Sequence, residues 1–178
     1  MNKLKITPLD FEKDIAAIKK WEIQFADSLE FNSIKKFILE DKTDHRLEQV
    51  IVNNYENYPI GDDEKKFCFS IKDNDNVAGF IIASMYNISI EKPELFLQYL
   101  VLNPDYQHCG FGTQVMIDLI LNSKQYFGHK PTRIHSYIDI NNTASLSLCQ
   151  KFGFDFISRT DKIVEARKNI KVLESQRI

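Results

Sequence analysis

Between Gln107 and Gly112 the chain reads QHCGFG, directly after an apolar run that ends at Asn103-Pro104 and directly before a helix-patterned stretch starting at Thr113. A strand, a glycine-rich turn and a helix start together form a cradle for an anion. The first N–H groups of a helix have no partner in their own helix, they point the same way, and the helix dipole adds partial positive charge at that end. Glycine at positions 110 and 112 lets a phosphate approach the backbone closely. Other side chains suited to chemistry lie nearby in sequence. Glu94 and Gln98 share a strand-patterned run, in which alternation puts Glu94, Phe96 and Gln98 on one face. Glu94 is then a candidate proton acceptor with Gln98 holding a water, and a solvated carboxylate at the strand mouth accounts for it equally well. His135, Tyr137 and Asp139 alternate along a later run as a second polar group, which a polar outward face also explains.

The elements that must position these residues are mixed. Leu4 to Thr7 reads as a short strand, and Asp10 opens a helical pattern carried by Phe11, Ile15, Ile18 and Ile23. A second helical region spans Ser33 to about Asn54, broken near Asp41 to Asp44. Phe67 to Ile71 and Val77 to Ile90 form an antiparallel hairpin around the turn residues Asp73 to Asn76. Leu95 to Leu102 suits a central strand buried on both faces and delivers the chain to the QHCGFG turn. Val115, Met116, Leu119 and Ile120 supply a helix stripe, Ile134 to Ile140 alternates as a strand, and Asn142 caps a short helix that stops at Gly153. Phe154 to Ser158 and Ile170 to Leu173 read as closing strands. The expected fold class is α/β, with a mixed sheet between layers of helix.

Composition excludes several classes of function. The 178 residues are 43% hydrophobic and 27% charged, enough for one well-buried domain spanning 1–178. A net charge of -2 argues against nucleic acid or an anionic membrane as partner and leaves a small molecule or a protein. Three widely spaced cysteines, Cys68, Cys109 and Cys149, draw neither a disulfide framework nor a metal knuckle. Such a pattern suits a reducing, cytoplasmic setting, and no metal is expected. The turn lacks the lysine of a Walker loop, and Val115 stands where a dinucleotide-binding fingerprint has its third glycine.

LQYLVLNPDYQHCGFG, followed by a helix and then by NNTASLSLCQKFGF, resembles the GNAT superfamily of acyl-CoA-dependent N-acetyltransferases. Gln107, Gly110 and Gly112 match its pyrophosphate loop, and Asn142, Ser145, Leu148, Lys151, Gly153 and Phe154 match its second block. The resemblance implies a GNAT-like, mostly antiparallel central sheet flanked by helices on both faces, and acetyl-CoA as cosubstrate. It implies that His108, Cys109, Gly110, Phe111, Gly112 and Thr113 hold the pyrophosphate, with Gln107 and Asn142 supporting the site. It further implies that the main chain of Leu100, Val101 and Leu102 pairs with the pantetheine arm, and that an N–H near Leu102 polarises the thioester carbonyl. The acceptor would be a primary amine of a small molecule or protein.

The same blocks depart from the family in two places. Cys149 takes the position at which the family commonly has a tyrosine acid, and Phe96 aligns with the strand glutamate that often serves as base. Cys149 is therefore a candidate proton donor, and as a small apolar side chain on a core-facing helix it is equally a packing residue. These departures keep a second reading open, a catalytically weak acyl-CoA-binding module on the same fold. Pairing into a homodimer leaves no mark in the sequence.

Overall fold

Alternating apolar residues build the sheet, and a bulge in its middle strand resets that alternation. The structure is a computed structural model and describes residues 4–18, 65–87 and 92–170. Its strands are β1 (Lys5–Pro8), β2 (Lys65–Asp73), β3 (Asn76–Tyr86), β4 (Glu94–Leu102), β5 (Arg133–Asp139), β6 (Asp155–Arg159) and β7 (Ile163–Asn169). They form one sheet in the order β1-β2-β3-β4-β5-β7-β6. Every neighbouring pair is antiparallel except β4 with β5. The helices are α1 (Phe11–Ile18), α2 (Phe111–Leu121), α3 (Ser123–Phe127) and α4 (Thr143–Lys151). The expected second helical region and the end of the first, with Ile23, lie outside the described residues.

One face of the sheet meets α2 and α3 in the core. Phe69, Ile71, Ile81, Ala83, Met85, Leu95 and Ile134 bury there with Val115, Met116, Leu119 and Phe127. The other face receives α1. Asp14 is only 2% exposed, and its carboxylate accepts from the buried Ser70 hydroxyl at 2.5 Å and pairs with Lys72 Nζ at 3.0 Å. Ser70 lies between Phe69 and Ile71 along β2, so its side chain leaves the sheet on the side opposite the core. Burial pushes the Asp14 carboxyl up, but the hydrogen bonds from Ser70, Lys72 and the Asp10 N–H, with the Lys72 charge, outweigh it and hold the group below its ordinary value.

Leu97 pairs with Ala83 and Tyr99 with Ile82, so Gln98 is an extra residue in β4. The bulge shifts the alternation by one position. Leu95 and Leu97 precede it and Leu100 and Leu102 follow it, yet all four pack on the same core. An unbroken strand buried on both faces was the expectation for this run, together with Gln98 sharing a face with Glu94 and Phe96. The bulge resets the alternation only after Gln98: Glu94, Phe96 and Gln98 lie together on the face away from Leu95 and Leu97, and Tyr99 follows on that same face. Of the expected strand Ile170 to Leu173, Ile170 lies in a turn and the rest lies outside the described residues; the last strand among the described residues is Ile163–Asn169, which was not expected. Its charged residues Glu165 and Arg167 disguise the pattern, because they alternate with the buried Val164 and Ala166.

Candidate active site

Strands β4 and β5 run side by side only from Glu94–Phe96 against Arg133–His135, although β4 continues to Leu102 and β5 to Asp139. Beyond Phe96 they part and leave a wedge. Ser136 donates its hydroxyl to the Leu97 carbonyl at 2.9 Å, which closes the narrow end. Further along, the Asn103 N–H donates to the Ala78 carbonyl across the β3–β4 ladder. In an antiparallel ladder successive residues alternate in the direction of their backbone groups, so Val101 faces β3 while Leu100 and Leu102 face the wedge. Part of β4 is thus an open strand edge, and Gln107 Nε2 donates back to the Leu102 carbonyl at 2.9 Å to fix its end. The open N–H at Leu102 is where the sequence expects a donor. Gly79 permits the close β3–β4 contact there, because a Cβ on it would lie 2.4 Å from the Val101 carbonyl oxygen.

The wedge leads to the QHCGFG turn. His108 and Gly110 are both left-handed, with φ of 58° and 81°. Only glycine adopts that conformation without cost; at His108 it stores about 1–2 kcal/mol. Left-handed residues interleaved with right-handed ones turn consecutive N–H groups into a concave nest for an anion. Gly110 precedes α2 with no side-chain cap, which leaves the first-turn N–H groups of Phe111, Gly112 and Thr113 for a ligand. Tyr106 anchors the turn from the side, its hydroxyl donating to Asp73 at 3.3 Å and its ring tilted on Phe111 at 5.5 Å. His108 and Cys109 are exposed. Lys151 was not expected to bind anything, yet its Nζ donates to Thr113 Oγ1 at 3.2 Å and brings a cation to the rim of the nest. The signal lay in its place in the second conserved-looking block, seven helical residues after Ser145's neighbour Ala144.

The remaining sequence candidates lie elsewhere. Asn142 accepts the Ser145 N–H at 3.1 Å, so its side chain caps α4. Cys149 is buried in the core, and burial raises its thiol to about 11. Glu94 sits at the far end of β4 from the turn, where its carboxylate pairs with Arg133 Nη1 at 3.1 Å. His135 stacks on Phe96 with ring centroids 4.8 Å apart. Among the described residues no group of His, Cys, Asp or Glu is arranged to hold a metal ion. No helix among them is long and apolar enough to cross a membrane.

The family model of the acetyltransferase (GNAT) family matches residues 30–154. The chain belongs to the GNAT family. It is an acetyl-CoA-dependent acetyltransferase, and the GNAT fold expected from the two sequence blocks is the fold observed. The PaiA N-acetyltransferase of Thermoplasma acidophilum, solved in complex with coenzyme A, superposes with a TM-score of 0.60 at 20% identity, covering 93% of this chain and 98% of that one. The spermidine N-acetyltransferase of Vibrio cholerae, solved with CoA and spermine, gives 0.61 at 14% identity and covers 95% and 96%. The N-acetyltransferase PseH of Campylobacter jejuni gives 0.55 at 16% identity and covers 94% and 98%. No curated protein sequence matches the chain.

Proposed function

We propose that this GNAT enzyme transfers the acetyl group of acetyl-CoA to a primary amine of a small molecule or protein by direct attack in a ternary complex. The observation that carries the reading is the continuity of an open β4 edge at Leu100 and Leu102 with a left-handed nest at His108 to Gly110. Coenzyme A is an extended chain with a pyrophosphate at one end of its pantetheine arm and the thioester at the other. The nest and the first turn of α2 suit the pyrophosphate, and the strand edge suits the amide-bearing arm, which would add to β4 as another strand does. That route carries the thioester along the wedge toward its narrow end. The likeness to N-acetyltransferases solved with coenzyme A, and in one case with spermine, supports an amine acceptor.

Rate enhancement would come from alignment of amine and thioester and from an N–H aimed at the carbonyl oxygen where charge develops. A thiol raised to about 11 is a far poorer acid than an ordinary cysteine thiol, at about 8.5, and so a poor proton donor to another alkyl thiolate. We therefore assign the thiolate its proton from solvent or from the attacking nitrogen, and Cys149 to packing. The test is a thermal shift with coenzyme A together with free-thiol release from acetyl-CoA over a panel of primary amines. Coenzyme A should raise the Tm of the native chain, and Gly110→Val should abolish that rise. A shift without thiol release on any amine would favour the acyl-CoA-binding module instead.

A further inference from the structure

On the sheet face opposite α2, the register sets Ser84, Phe96, His135 and Arg167 in one row across β3, β4, β5 and β7. This is the last row before β4 and β5 part. Two polar atoms in it, Ser84 Oγ and His135 Nδ1, are buried without a hydrogen-bond partner. Each such group costs about 1–3 kcal/mol, so two of them in one row, on either side of Phe96, mark bonding capacity that the fold leaves for something else. Among the described residues, aromatic rings surround the imidazole: Phe96 stacks on it, Tyr86 lies tilted at 6.3 Å, and Tyr137 meets it edge-on at 6.4 Å. Its Nδ1 makes no hydrogen bond to the protein.

We infer that His135 is the general base of the transfer, taking the proton of the acceptor ammonium directly or through one water at the narrow end of the wedge. The inference rests on the N-acetyltransferase reading above. Among the described residues, the charged and titratable groups around the ring are Glu94 on β4, Arg133 and Tyr137 on β5, Glu165 and Arg167 on β7, and Tyr86 on β3. Glu94 is paired with Arg133 and Glu165 with Arg167, so neither sign of charge dominates. Burial then decides and holds the imidazole below its ordinary value, with Glu94 and Glu165 pulling up and Arg167 and Arg133 pushing down. At neutral pH the ring is uncharged and able to accept a proton. In the step, the ammonium N–H bond breaks and its proton passes to the imidazole. The freed nitrogen lone pair forms the C–N bond, the C–S bond breaks, and the thiolate takes the second proton lost by that nitrogen. The imidazolium returns its proton to solvent.

The test follows free-thiol release from acetyl-CoA in the native chain and in His135→Gln, with spermidine and with a lysine-containing peptide bearing a free N-terminus as amine probes. We expect kcat/KM at neutral pH to fall roughly 100-fold while the Tm rise given by coenzyme A is unchanged. The acidic limb of the native pH profile should disappear in the variant, and the deficit should shrink toward pH about 10, where the amine sheds its own proton. A variant within about 3-fold of native across the range, or a deficit independent of pH, overturns the assignment. Native protein that gains Tm with coenzyme A but acetylates neither probe also counts against it, whereas absence of the Tm rise would defeat the N-acetyltransferase reading itself. Should His135→Gln fail to fold, NMR titration of the native histidines decides: a His135 midpoint above about 8, well over the ordinary value of about 6.5, would leave the ring charged at neutral pH and refute its role.

Discussion

The two ends of β4 carry different kinds of site. At its C-terminal end the groups offered to the proposed cofactor are backbone N–H groups, set by the left-handed His108 and Gly110, by the start of α2, and by the part of the strand that has no neighbour. At its N-terminal end the groups are side chains contributed by β3, β4, β5 and β7, with Ser84, Phe96 and His135 in register. A backbone site is local: a few consecutive residues build it, and glycine is its trace. A side-chain site is made by pairing strands that are far apart in sequence, and no single stretch records it.

The largest expected effect probes the sheet face on which the side-chain site lies, in the row of Ser70, Phe80 and Val101. The Asp14 network fastens α1 to the face that carries His135, and the Ser70 hydroxyl it satisfies is fully buried. Asp14→Ala should destabilise the fold by about 2–3 kcal/mol, a Tm loss of roughly 5–10 °C in thermal melts. The native network also has a pH signature. Because the folded carboxyl titrates below the unfolded one, its stabilisation is complete above the ordinary carboxylate value of 3.8 and drains away as pH falls through the depressed value. Melts of native and Asp14→Ala protein should therefore converge in acid. Equal Tm values at neutral pH would show that α1 is held by something else.

A smaller effect separates binding from folding at the backbone end. Gly112 has no left-handed φ, and a Cβ there would meet Leu148 at 3.7 Å and Leu102 at 3.9 Å, which is ordinary contact. The fold has room for alanine, and helix propensity favours it. Gly112→Ala should then leave Tm unchanged or slightly raised while coenzyme A binding weakens by about tenfold, since the methyl group intrudes where a phosphate would approach. Calorimetry on the variant would show whether the glycine serves the ligand; unchanged affinity with unchanged Tm would deny it that function. The smallest effect concerns Lys151, whose ammonium is exposed. Lys151→Gln should lower affinity for coenzyme A by roughly twofold to fivefold, and added salt should narrow the gap. A deficit that ignores salt would mean that the hydrogen bond to Thr113 matters more than the charge.

Most of the sheet and the whole of the turn were legible because their signals are local. The β2–β3 hairpin follows from two alternating runs around Asp73 to Asn76, and α2 from the stripe of Val115, Met116, Leu119 and Ile120. Strand β7 was missed because Glu165 and Arg167 look solvated in sequence, whereas in the sheet they pair with each other on the face away from the core. The bulge at Gln98 left no trace in the sequence for a related reason. A bulge is a mismatch between two strands, and the β4 sequence alone contains only one of them.

The amino-acid order by itself determined the GNAT resemblance, the glycine turn into a helix start at Gln107 to Thr113 and the general alternation of strands and helices, since each depends on neighbours within about one element. Tertiary structure alone decided that Glu94 is spent on Arg133, that Cys149 is a buried thiol with a raised pKa, and that His135 Nδ1 is left without a hydrogen-bond partner at the narrow end of the wedge. Partnership and burial set the chemistry of these three groups, and both are properties of strands brought together from distant parts of the chain.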